Sequence, residues 1–155
     1  MDTISYTEQF EICHIPAIQS LIFDRTCYLS YTHGGAERGL AFLRDSHTVQ
    51  KIKKWTHDIM VSAHDRGTLI GFGRAAHDGW ITHLYVDWEY QRQGIGSELL
   101  LWLESMLCKE GLEHLFVASD PKKSHFYKGH GYIPATEKPY EQNGRLFIQM
   151  EKTIR

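Results

Sequence analysis

No apolar run in this sequence approaches the ~18 residues that a membrane-spanning helix needs, so no membrane segment is expected. The opening Met1-Asp2-Thr3-Ile4-Ser5-Tyr6 has no basic stretch leading into an apolar one, and no secretion signal is expected there. Positive charge is not in excess either. The formal net charge is −2, whereas a nucleic-acid binder carries a basic surplus. The densest basic cluster, Lys51, Lys53 and Lys54, reads as the solvated face of a helix. Cysteine is scarce: Cys13, Cys27 and Cys108 are odd in number and form no CxxC pair, which fits a reducing, cytoplasmic setting better than a disulfide framework. The ten histidines include no HExxH and join no Cys/His cluster, so no metal is expected. Repeats, low-complexity stretches and linkers are also missing.

What remains has the composition of an ordinary globular protein, 42% hydrophobic and 23% charged. The length suits one domain over 1–155 with a real core. A first edge strand is expected over 3–7. A helix from Pro16 follows, carrying Ile18, Leu21, Ile22 and Leu29 inward. Gly34-Gly35 breaks the chain. Helical pattern resumes over 36–44 and 46–55, with Asp45 or Ser46 as cap. Strands at 58–64, 68–76 and 80–86 are separated by Asp65-Arg66-Gly67 and His77-Asp78-Gly79, giving an antiparallel meander. Leu99, Leu100, Leu103, Met106 and Leu107 recur at helical spacing over 97–109, and Gly111 stops that helix. A strand at 115–118, a short helix at 124–128 and an alternating strand at 144–150 complete the chain, the last facing Tyr132-Ile133. Strand, helix and strand from 80 to 118 imply a parallel pair with a crossover, hence a mixed sheet.

The most informative residues lie between strand 80–86 and the helix after it. Gly94 and Gly96 let the backbone approach a ligand closely. The starting helix offers unpaired amides and a partial positive charge, and Arg92 adds a full one. Such a corner suits a pyrophosphate. It is not a Rossmann fingerprint, because Leu99 stands where the third glycine belongs. It is not a P-loop, because Gly-Lys-Ser/Thr is missing.

The run Val86-Asp87-Trp88-Glu89-Tyr90-Gln91-Arg92-Gln93-Gly94-Ile95-Gly96 resembles the acetyl-CoA motif of the GCN5-related N-acetyltransferase (GNAT) superfamily. About thirty residues on, Phe126-Tyr127-Lys128-Gly129-His130-Gly131-Tyr132 is similar to a second signature of that family. The resemblance implies an α/β fold with a mixed, mostly antiparallel sheet flanked by helices. In it, strands 80–86 and 115–119 splay to receive acetyl-CoA. The pantetheine arm would pair with Leu84, Tyr85 and Val86. The pyrophosphate would rest on the amides of Gln91, Arg92, Gln93, Gly94, Ile95, Gly96 and Ser97. Ser119, Asp120, Phe126 and Tyr127 would complete the cofactor contacts. Two departures stand out: Trp88 replaces a proline, and Ala118-Ser119-Asp120 replaces an asparagine that bonds the pantetheine, so Asp120 would bring a charge.

The implied reaction is direct attack of a primary amine on the thioester in a ternary complex. It needs a neutral amine, a polarised carbonyl and a proton for the leaving thiolate. Tyr127 sits where the family often places a tyrosine near the sulfur; otherwise it is a core aromatic. Strict alternation would put Trp80, Thr82, Leu84 and Val86 on one strand face and Ile81, His83, Tyr85 and Asp87 on the other. The glutamate or histidine that relatives often carry at 80 or 82 is missing. His83 is the candidate base, with a hydrogen-bonded sheet histidine or a water chain as the alternatives. Cys108 on its amphipathic helix reads as an apolar filler rather than a nucleophile. The acceptor is a small-molecule amine or a peptide or protein amine, set by 26–47 and 134–145. A homodimer is common in the family. The other classes are a non-catalytic CoA-binding module on the same fold, and an interaction protein using Trp55, Trp88 or Tyr140.

Overall fold

A computed structural model describes residues 3–25 and 32–154. The anticipated position of Leu29 lies outside the described residues. Strand β1 (Ile4–Thr7) leads through a turn into α1 (Ile15–Phe23), with Pro16 in its first turn and Ile18, Leu21 and Ile22 buried. Next come α2 (Ala36–Ser46) and the short α3 (Val49–Lys53). The α3 cap is Thr48, whose hydroxyl accepts from the Lys51 amide, and not Asp45 or Ser46. Ser46 closes α2 instead, its hydroxyl donating to Phe42 O at 2.6 Å. The helical pattern up to residue 55 also ends early. Residues 54–57 tighten into a single turn that drives Trp55 inward to 6% exposure. Trp55 is therefore a core residue stacked on Phe72, not an exposed contact.

Strands β2 (Ile59–Asp65), β3 (Thr68–Ala75) and β4 (Trp80–Val86) form the expected meander. Positive φ at Arg66 and Gly67 makes the first of its two tight turns. Helix α4 (Ile95–Lys109) crosses to β5 (His114–Ser119). Then follow α5 (Ser124–Gly129), β6 (Ile133–Pro134), β7 (Tyr140–Gln142) and β8 (Arg145–Thr153). The sheet runs β1-β2-β3-β4-β5-β8-β6, with β7 paired to β8. Among the described strands only β4 and β5 are parallel.

Two cores sandwich this sheet. One gathers Leu99, Leu100, Leu103 and Leu107 of α4 against Val61, Ile70, Ile81, Leu115 and Val117. The other joins α1, α2 and α3 to Met60, Leu69 and Phe72. Gly73 explains how closely α4 lies on the sheet: a Cβ there would stand 2.7 Å from the Leu103 side chain. Buried Glu104 on α4 accepts from the Tyr132 hydroxyl at 2.7 Å and from Lys152 Nζ at 3.1 Å, tying α4 to the segment after α5 and to β8. Among the described residues no helix is long and apolar enough to cross a membrane.

Candidate functional site: a cleft between splayed strands

The parallel strands pair only at Trp80–Phe116 and Ile81–Val117. Beyond that point β4 continues along β3 to Val86, and β5 continues along β8 to Ser119. The two therefore part, and each leaves backbone groups facing the gap. A cleft of about 410 Å³ occupies the V. Leu84, Tyr85 and Val86 line one side, and Ser119, Asp120, Phe126 and Tyr127 line the other.

At the open end, Gly94 caps α4 in the left-handed region (φ 79°), two residues after Arg92 at φ 62°. The first turn of a helix has no internal acceptors for its amides. Here Glu98 N donates to Gly94 O, whereas the amides of residues 92–97 donate to no backbone carbonyl among the described residues. A Cβ at Gly94 would have nothing within 4 Å. The result is a cradle of orphan amides at the positive end of a helix, with Arg92 exposed beside it. These donors fit a pyrophosphate.

The loop before the cradle is pinned from both sides. Arg25 donates to both carboxylate oxygens of Asp87 at 2.8 and 2.9 Å, and also pairs with Glu89. The Tyr90 hydroxyl donates to Asp65 at 2.6 Å. These contacts supply the stiffness that a proline would give at 88, and leave Trp88 half exposed.

Of the residues anticipated for the site, Gln93 alone does not line the cleft; its side chain is exposed and only its amide belongs to the cradle. Gln91 lines it, but its side-chain amide donates to Val86 O at 2.8 Å, capping the end of β4. Ile95 turns its side chain into the core. Ser97 places its hydroxyl 3.0 Å from His130 Nε2. Asp120 accepts from the Lys122 amide at 3.0 Å, so part of its charge serves a turn.

Strict alternation along β4 needs correction. A bulge skips Thr82, with Arg74 opposite His83 and Ala75 opposite Ile81. Ile81, Leu84 and Val86 consequently share the α4 face, while His83 and Tyr85 face the second core and stack on Phe72. The bulge points His83 at a partner that short-range reasoning missed: His47, just past α2, lies with Nε2 2.8 Å from His83 Nε2. The proton positions follow from the neighbours. His47 Nδ1 lies 2.8 Å from Leu43 O, a carbonyl that can only accept, so Nδ1 carries the proton. A neutral His47 then accepts at Nε2, and His83 donates from Nε2. His83 Nδ1 keeps a lone pair, 2.9 Å from the Thr82 hydroxyl.

Both imidazoles are held neutral. Burial pulls His47 below its ordinary value, against its bond to Leu43 O, and the nearby cations of Arg74, Arg145 and Lys51 add to the pull. Burial, with His47 and Arg74, pulls His83 well below its own. In the unfolded chain both would bind protons near pH 6.5. The stability they confer is thus complete above that pH and is lost as pH falls towards their folded values. Chemical denaturation should show stability declining below about pH 6.5, by at most about 1.4 kcal/mol per pH unit per histidine. A His47→Gln/His83→Gln double variant should show a flatter decline; an unchanged slope would refute the neutral pair.

Burial pushes the Tyr127 phenol above its ordinary range, with Tyr85 adding to it, so it stays protonated at neutral pH. Its ring packs edge-on against Tyr132 at 5.6 Å and Phe126 at 5.1 Å. Among the described residues, the free cysteines Cys13 and Cys108 are exposed and line no part of the cleft, and Cys27 lies outside the described residues. Glu11, Cys13 and His14 bring three potential ligand atoms within 4.8 Å of one another at a turn outside the cleft. Arg145, Phe147, Lys123 and Tyr90 also line the cleft; Tyr90 lies in the acetyl-CoA motif and Arg145 in the stretch expected to set the acceptor, but none was singled out as a site residue.

Residues 30–154 match the acetyltransferase (GNAT) domain family, and the chain belongs to that family. A GCN5-related N-acetyltransferase from Rhodopseudomonas palustris superposes with a TM-score of 0.84 at 19% identity, over 99% of this chain and 98% of that one. The PaiA N-acetyltransferase of Thermoplasma acidophilum, solved with coenzyme A, gives 0.75 at 22% identity over 99% of each chain. The ribosomal-protein-S18-alanine N-acetyltransferase of Escherichia coli gives 0.66 at 21%, over 97% of this chain and 94% of that one. At these identities the likeness speaks for the fold. No curated protein sequence matches the chain. Acetyl-CoA is the co-substrate consistent with this family and with its CoA-bound structural neighbours.

Proposed function

We propose that the protein transfers the acetyl group of acetyl-CoA to a primary amine by direct attack in a ternary complex. The observation that carries this reading is one continuous cleft with an orphan-amide cradle at its mouth and a buried, protonated tyrosine on its wall. The amides of residues 92–97, with Arg92, would hold the pyrophosphate. The cleft-side backbone of Leu84–Val86 would take the pantetheine as an added strand. The thioester would then lie near Tyr127, and the amine would enter from the side of Thr82, His83 and Phe147.

Acetyl-CoA supplies the activated acyl group. The amine lone pair attacks the thioester carbonyl carbon, and the carbon–sulfur bond breaks as the tetrahedral intermediate collapses. Tyr127 donates its proton to the departing thiolate. His83 Nδ1 holds the lone pair able to accept the amine proton, directly or through the Thr82 hydroxyl. Its lowered basicity suits brief acceptance and return to solvent, not storage of a proton. Cys13 and Cys108 lie off the cleft, which argues against either of them as an acetyl carrier.

Initial rates of acceptor-dependent CoA release test the order of events. A ternary complex gives intersecting double-reciprocal lines. Parallel lines together with an acetylated form of the protein would overturn it.

A further inference from the structure

Arg145 stands out among the cleft residues because it is charged, partly buried and in no ion pair with the described residues. It opens β8, directly after the Asn143-Gly144 turn, and shares a strand face with Phe147 two residues on; both line the cleft. Its guanidinium lies 4.7 Å from the centre of the Phe147 ring. Its Nε is buried and has no hydrogen-bond partner among the described residues. A buried donor left unpaired is unfavourable, and such groups point to a missing partner.

The acids nearby are committed. Glu141, across the same hairpin, pairs with Leu146 in register, which directs it to the other face. There it accepts from Arg38 at 3.0 Å and from the Gly144 amide at 2.9 Å. Among the described residues that line the cleft, Asp120 is the only carboxylate, against the cations Arg92, Lys123 and Arg145. Arg145 and Phe147 stand on β8, the strand beside β5, and Arg145 is among the cations that lower the basicity of His47.

We propose that the acceptor amine carries a carboxylate, and that Arg145 binds it, on the acetyl-transfer reading above. The planar guanidinium forks onto a carboxylate, and stacking on Phe147 fixes its plane in advance. The same positive charge favours the neutral form of a nearby amine, the form that attacks. A purely cationic acceptor such as a polyamine would meet this charge with Asp120 as the one carboxylate among the described cleft residues, itself engaged in a turn. The substrate class is therefore an amino acid or a similar amino-carboxylate.

The test is calorimetric binding of N-acetyl amino acids and their matched carboxamides, with and without CoA, to wild type, Arg145→Gln and Arg145→Lys. At least one N-acetyl amino acid should bind wild type roughly 10–100-fold more tightly than its carboxamide. Arg145→Gln should erase that preference, Arg145→Lys should keep part of it, and CoA affinity should stay at the wild-type level in both. No preference in wild type, no carboxylate ligand in the whole panel, or a preference that survives in Arg145→Gln would overturn the proposal. If Arg145→Gln does not fold, the wild-type comparison of acid against amide decides alone. The acetyl-transfer reading fails separately, by absence of acceptor-dependent CoA release, because these affinities do not depend on turnover.

Discussion

Replacing Tyr127 by phenylalanine is expected to lower kcat roughly 10²–10⁴-fold, the usual contribution of a positioned acid. Phenylalanine keeps the edge-on contacts with Phe126 and Tyr132 and removes only the hydroxyl. The physical demand is specific. As the carbon–sulfur bond breaks, charge collects on sulfur inside a buried cleft, where an unprotonated thiolate is poorly solvated. A phenol pushed above its ordinary range is fully protonated and can donate there. Affinity for acetyl-CoA should change little, because the substitution leaves the amides of the cradle and the Phe126 ring beside Gly96 untouched. A loss of folding stability with kcat unchanged, on a substrate whose chemistry limits the rate, would assign the hydroxyl a structural role.

The second large effect is expected at Gly94. Its φ of 79° is one that a β-branched residue adopts only under strain, about 1–2 kcal/mol or more for an L side chain. Gly94→Val should make the loop leave the left-handed region and turn amides away from the phosphates. Losing one or two hydrogen bonds to a charged group weakens binding by roughly 10²-fold. The fold should survive, since a Cβ at Gly94 has open space around it. Gly96 offers a contrast: a Cβ there would stand at an ordinary 3.6 Å from the Phe126 ring, so Gly96→Ala should be mild. Calorimetry of CoA against the folded variants measures both. Wild-type affinity in a folded Gly94→Val would remove the cradle from the site.

The cradle was legible in the sequence because it is local. Gln91 to Ser97 are contiguous, and the physics of a helix start needs no long-range information. The meander and the crossover were legible for the same reason, through turn residues and apolar periodicity. Three features were not. The bulge at Thr82 leaves no mark in composition, yet it decides that Ile81 joins Leu84 and Val86 on the α4 face. His47 meets His83 across 36 residues, so neither position announces the pair. Arg145 falls within the 134–145 stretch expected to set the acceptor, but nothing local singles it out until β8 docks beside β5 and brings it over the cleft. Trp55 errs in the opposite direction, an aromatic in a basic stretch that a tightened turn drives into the core.

Acetyl transfer itself is read most directly by mass spectrometry of an amine panel, amino acids included, incubated with the protein and acetyl-CoA. The expected result is an N-acetylated amine formed in step with free CoA, strongly reduced in Tyr127→Phe. Tight CoA binding with no acceptor-dependent acetylated product anywhere in the panel would contradict it, and would leave a CoA-binding module on the same fold.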